Sequence, residues 1–121
     1  MVQLFQDRGI ALHEFSHGAS AWRGDERIEI DLLMANTTDA ILVGAQFQLT
    51  QDNVDEHLQR LGKFKRLMLH YSDVRATGVV AAMVVPDEVA RYADRQGLFV
   101  LAQSGDSVVI LNDAQFQPQS W

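Results

Sequence analysis

Apolar and polar residues alternate with a period of two along Arg27 to Gln48, where RIEIDLLMA and AILVGAQFQ flank the polar run Asn36-Thr37-Thr38-Asp39. Successive side chains of a strand point to opposite faces, so this stretch predicts two strands joined by a tight turn. Ile28, Ile30, Leu32 and Met34 are expected on one face, with Glu29 and Asp31 on the other. In the following strand Ile41, Val43, Ala45, Phe47 and Leu49 are expected inside, and Gly44, Gln46 and Gln48 opposite them. The connection Ala35–Asp39 suits a short loop, because Asn, Thr and Asp side chains bond their own backbone.

Upstream of this hairpin, Met1–Arg8 suggests a short helical fragment and Ile10–Ser16 a strand. His13, Phe15 and His17 would share one face of that strand and Leu12 and Glu14 the other, either of which could be buried. Gly18, Ser20 and Gly24 make His17–Gly24 read as a loop, with Gly24-Asp25-Glu26 a turn into the hairpin. From Thr50 the period changes to about 3.6, and Val54, Leu58, Leu61, Phe64 and Met68 define the stripe of a helix capped by Thr50 or Asp52. Gly62 is expected to let that helix approach the sheet closely.

Gly78–Val85 is apolar without alternation, as in a central strand covered on both faces. Pro86-Asp87-Glu88 opens a second helix that Gly97 ends. Leu98–Gln103 and Val108–Leu111 are strands around the turn Ser104–Ser107. The order β-β-β-α-β-α-β-β predicts an α/β fold, a mixed central sheet flanked by helices, with right-handed crossovers in its strand-helix-strand units.

Composition narrows the functional classes. A chain of 121 residues is expected to form one domain over residues 1–121. With Cys 0, disulfides, thiolate metal sites and a cysteine nucleophile are excluded. No segment approaches the ~18 consecutive apolar residues of a membrane span. The opening residues lack the basic start and apolar run of a signal peptide, so no membrane and a cytoplasmic location are expected. A net charge of -6 and a pI near 5.0 disfavour phosphate backbones as partners. Any nucleic-acid contact would fall to Lys63, Lys65 and Arg66, beside Arg60, and Asp52, Asp55 and Glu56 offset these bases on the same helix. His13, His17, His57 and His70 are scattered as surface or core histidines are. His13 and His17 would stand ~13 Å apart along a strand, too far for one metal. Neither a Gly-x-Ser-x-Gly elbow nor a glycine-rich phosphate loop is present.

The strand order, Glu29-Ile30-Asp31, the stretch ILVGAQFQL (Ile41–Leu49), the helix VDEHLQRLGKFKRL (Val54–Leu67) and the stretch Asp87–Asp113 together carry a resemblance. From about Gly9 onward the chain resembles the PD-(D/E)XK nuclease superfamily, the restriction-endonuclease-like fold, and its small prokaryotic members in particular. The resemblance implies an aspartate on the second strand and an acid-x-lysine pair on the third. In that family two carboxylates hold a divalent cation and the lysine helps activate water for phosphodiester hydrolysis.

Asp31 takes the aspartate place, whereas Gly44-Ala45-Gln46 stands where acid-x-lysine belongs, so both catalytic partners are missing. Glu29 and Glu14 are candidates to replace the lost acid, Asp31 and Glu29 to hold a metal, and Gln46 to orient water. The expected function is therefore a catalytically degenerate, non-enzymatic binding or assembly domain, with no cofactor and with a homodimer as one candidate assembly. The alternatives are a Mg²⁺-dependent DNA or RNA nuclease with a migrated site, and a nucleic-acid-binding domain that does not cleave. Leu4, Phe5, Trp22, Phe116 and Trp121 are the expected apolar partner surface.

Overall fold

A computed structural model describes residues 2–121, except for the side chain of Val2. The alternating stretches become a six-stranded sheet whose spatial order follows the chain. The elements are α1 (Val2–Gln6), β1 (Glu14–Arg23), β2 (Glu26–Ala35), β3 (Asp39–Gln48), α2 (Gln51–Leu67), β4 (Arg75–Val84), α3 (Asp87–Arg95), β5 (Phe99–Ser104) and β6 (Ser107–Ile110). β1, β2 and β3 pair antiparallel, β3, β4 and β5 parallel, and β6 antiparallel to β5. This is the α/β mixed sheet that the periodicity implies. Among the described residues no helix is long and apolar enough to cross a membrane.

Each parallel step needs a crossover, and α2 and α3 provide them. The two helices touch, with the Tyr92 hydroxyl donating to Asp55 at 2.5 Å. Beneath them lies one core containing Ile28, Ile30, Leu33, Leu42, Leu61, Phe64, Leu98 and Val100. On the other face Phe5 of α1 joins Met34, Ile41, Val43, Val79, Phe99 and Leu101. Phe5 and Phe116 both meet the Phe99 ring edge-on, with centroids 5.5 and 5.0 Å away. β4 is covered on both faces from Ala76 to Ala82, but Met83 and Val84 at the end of its apolar run are exposed.

Local chemistry sets the helix ends. Thr50 Oγ1 accepts the Asn53 N–H at 3.2 Å while Asn53 Oδ1 accepts the Thr50 N–H at 3.0 Å, a reciprocal cap on α2. At the end of α3, Gly97 adopts φ +85°. Its N–H donates to Asp94 O and that of Leu98 to Ala93 O, both at 3.0 Å.

Several expectations are corrected. β1 runs over Glu14–Arg23, so most of the segment read as a loop is strand, and residues 10–13 are not. Its small residues serve packing: Ala19 and Ala21 lie against the core beneath α2. Regular alternation along β2 also fails. Ile28 and Ile30 face α2, as do Leu33 and Ala35, whereas Leu32 and Met34 lie on the side of α1. The faces exchange at Asp31, level with Gly18 of β1, whose φ is +65°.

Phe47, expected inside, is 70% exposed, and Ala45 is exposed too. Of the expected partner surface, Phe5 is fully buried and Phe116 packs on Phe99. Trp121 packs on the core beneath α2 and α3, with its backbone N–H on Ala76 O at 2.9 Å. Leu4 is half-buried, and Trp22 alone stands free at 72% exposure.

Close approach of helix to sheet occurs at Gly78, not Gly62. A Cβ on Gly78 would lie 2.4 Å from Leu61 Cδ1 and 2.5 Å from Leu98 Cδ2, whereas one on Gly62 would meet nothing within 4 Å. Gly62→Ala is therefore expected to raise the unfolding free energy in urea by ~0.5–1 kcal/mol, and Gly78→Ala to lower it by ~1–3 kcal/mol.

Candidate functional site: a strand fork closed by Asp31, Gly44 and His57

β2 and β3 pair from Ala35 opposite Ala40 to Leu32 opposite Val43, and there the ladder stops. Beyond this point β2 continues beside β1 and β3 beside β4. A fork strips backbone groups of their partners, and each needs another. Asp31 meets the need at Ala45: its Oδ2 accepts the Ala45 N–H at 2.9 Å. The aspartate thus closes the ladder with its side chain where the strands separate.

Next to it the absent side chain of Gly44 leaves room for His57 of α2. A Cβ on Gly44 would stand 2.9 Å from His57 Nδ1 and 3.3 Å from Cε1. The imidazole is 1% exposed and lies 2.9 Å, through Nε2, from Leu42 O. A carbonyl only accepts, so Nε2 carries the proton, and the bare Nδ1 accepts from Arg60 Nη1 at 3.2 Å. Burial pulls the His57 pKa down to about 4, against the Leu42 bond that favours the cation. Arg60 lowers it further and the Asp31 charge raises it. At neutral pH the ring is uncharged.

The other expected site residues do not gather here. Glu14 stands opposite Ala35, four residues along β2 from Asp31 and ~13 Å away, where it accepts from the Tyr71 hydroxyl at 3.4 Å. Glu29 is ion-paired with Arg27. Gln46 lies two residues beyond Gly44 on β3 and is half-buried. Lys63 borders a groove of about 430 Å³ with Arg27, Glu29, Glu56, Gln59 and Arg60, a lining that mixes both charges. Arg66 pairs with Glu26, and Lys65 is half-buried on α2.

A magnesium ion would demand several hard oxygen ligands, including one or two carboxylates. Asp31 offers one carboxylate with an oxygen already engaged, and the neighbouring position offers an imidazole whose lone pair Arg60 occupies. Among the described residues no group of three His, Asp or Glu side chains is placed to hold a metal. The residues present do not fit Mg²⁺.

Two polar residues take roles that the sequence does not assign, His57 being expected only as a surface or core histidine. His57 belongs to the buried stripe Val54, His57, Leu61, Phe64 and Leu67, in place of the expected Leu58 and Met68, which are half-buried. Its signal is legible: Val54, His57, Leu61 and Phe64 follow a helical spacing as regular as the stripe drawn through Leu58. Asn112 is the other. Its Oδ1 accepts the Val100 N–H at 2.7 Å, and its Nδ2 donates to Asp94 at 2.8 Å and Leu98 O at 3.2 Å, tying β5 to α3.

Compared with protein-family models, curated proteins and solved structures, the chain matches none.

The His57 geometry has a pH signature. With the folded pKa lowered from 6.5 to about 4, the unfolded chain takes the proton first as pH falls. Stability from the neutral ring is complete above 6.5 and is lost as pH drops towards about 4. At ~1.4 kcal/mol per pH unit the loss amounts to about 3 kcal/mol. His57→Gln keeps a donor for Leu42 and does not titrate. Urea unfolding over this range should show the wild type losing about 3 kcal/mol more than this variant. Gly44→Ala should displace the ring and destabilise by ~1–3 kcal/mol in the same measurement.

Proposed function

We propose that the chain is a nuclease-fold protein without hydrolytic activity, working as an assembly domain. The observation that carries this reading is the exchange at Gly44, where a buried, neutral His57 ring fills the space that an acidic side chain would need. A meander of three strands passing into parallel crossovers, with an aspartate at the strand fork, supports the restriction-endonuclease-like reading of the fold.

In this reading Asp31 has turned from chemistry to architecture. Its carboxylate holds the Ala45 amide, and the water-activating lysine of the family pattern has no counterpart: Lys63 and Lys65 are the chain's two lysines and both belong to α2. Gln46 carries no charge to lower the pKa of a water. What remains is a packed sheet with its polar fork locked from within.

The test is cleavage of plasmid DNA, a single-stranded DNA oligonucleotide and RNA in Mg²⁺ or Mn²⁺ by the intact chain and by Asp31→Ala. No cleavage by either protein is expected, together with a lower unfolding midpoint for the variant. Cleavage by the wild type that Asp31→Ala abolishes would establish the metal-dependent nuclease instead.

A further inference from the structure

The free edge of β1 is the longest open backbone in the sheet. Its ten residues, Glu14–Arg23, pair with β2 on one side only, whereas β6 at the opposite edge has four residues. Proteins commonly blunt an edge by keeping it short or by placing lysine, proline or inward charges on it. β1 contains neither lysine nor proline, and from Phe15 to Trp22 it has no Asp, Glu, Lys or Arg. Phe15 and Trp22 are 48% and 72% exposed.

The strand is complementary to its own reverse. In an antiparallel register centred between Gly18 and Ala19, Glu14 meets Arg23 of a second copy, Phe15 meets Trp22, Ser16 meets Ala21 and His17 meets Ser20. By symmetry each pairing occurs twice. Opposite charges and aromatic pairs are favourable cross-strand neighbours.

Face matching is the stricter condition. Residues opposite one another across antiparallel strands share a face, and a two-fold axis normal to the sheet preserves each residue's face. In a regularly alternating strand, positions equidistant from such a centre point to opposite faces, and the register would fail. The exchange of faces at Gly18 removes the conflict. Before it, Phe15 and His17 stand opposite Met34 and Leu32 on the α1 side, and Glu14 and Ser16 opposite Ala35 and Leu33 on the α2 side. After it, Ala19 and Ala21 stand opposite Ile30 and Ile28 on the α2 side. Alternation from these puts Arg23 on the α2 side and Ser20 and Trp22 on the α1 side. Every pair of the register then matches in face.

We propose that two copies of this chain dimerise by antiparallel pairing of β1 with β1, joining two six-stranded sheets into one. This names the partner in the assembly reading above and rests on that reading for its meaning.

Sedimentation velocity up to roughly 100 µM is the measurement, a range that reaches the weak end of specific association. The wild type is expected to dimerise. Glu14→Arg and Arg23→Glu each place like charges opposite one another and should raise the dissociation constant about tenfold. The double variant Glu14→Arg/Arg23→Glu restores opposite charges and should recover dimerisation. A monomer throughout the range overturns the proposal, as does a dimer that the single swaps leave unchanged or that the double variant fails to recover. Monomers without nuclease activity would overturn only this dimer, whereas dimers that cleave would overturn the assembly reading.

Discussion

The separation of β2 from β3 is the constraint on which the polar face of this protein depends. Two strands that part inside a sheet leave backbone groups without a ladder partner, to be met by side chains or by water. Asp31 and His57 act there from two directions. The carboxylate bonds the Ala45 amide at the mouth of the fork, and the imidazole rises from α2 to bond the carbonyl of Leu42, which lies within the paired ladder just before the strands part. Gly44 makes the second bond sterically available, because any Cβ there would enter the ring's space.

This arrangement couples helix placement to strand geometry. α2 is held to the sheet by apolar contacts through Leu61 and Phe64, by the buried polar contact of His57 and by the exposed Arg66–Glu26 pair. The His57 bond is buried and directional where the apolar contacts are not, so it helps to set the rotation of the helix about its axis. Gly78 works with it one strand away, letting Leu61 and Leu98 meet over bare backbone. Close packing at two glycines, each filled by a specific neighbour, leaves α2 little freedom to shift.

Much of the fold was legible because periodicity reports burial. The β2–β3 hairpin, α2, the apolar β4, α3 with its Gly97 terminus, and the final hairpin all follow from spacing and turn residues. β1 was hidden because Gly18 and Ser20 have the composition of a loop, although both lie within the strand, Gly18 in the left-handed region; Gly24 does belong to the turn that follows. The exchange of faces at Asp31 was hidden for a different reason. Leu32–Ala35 is an unbroken apolar run that packs on both faces, so it carries no phase to show that the faces have exchanged. At the candidate site, Asp31 and Gly44 stood out as residues, but their meaning depended on a partner from α2, and helical spacing alone does not choose between the stripe through His57 and the one through Leu58.

The fork also divides the sheet mechanically. Above it, β1 and β2 continue as a two-stranded arm that shares no ladder with β3. Ile28 and Ile30 anchor this arm to the core beneath α2, and the Arg66–Glu26 pair ties its tip to the helix. Such an arm opens by breaking side-chain contacts alone, leaving the β3–β4–β5 ladder whole, and so constitutes its own unit of local unfolding. Hydrogen exchange would sense this as a boundary inside one continuous strand, with the amides of β2 on either side of Asp31 belonging to different cooperative units.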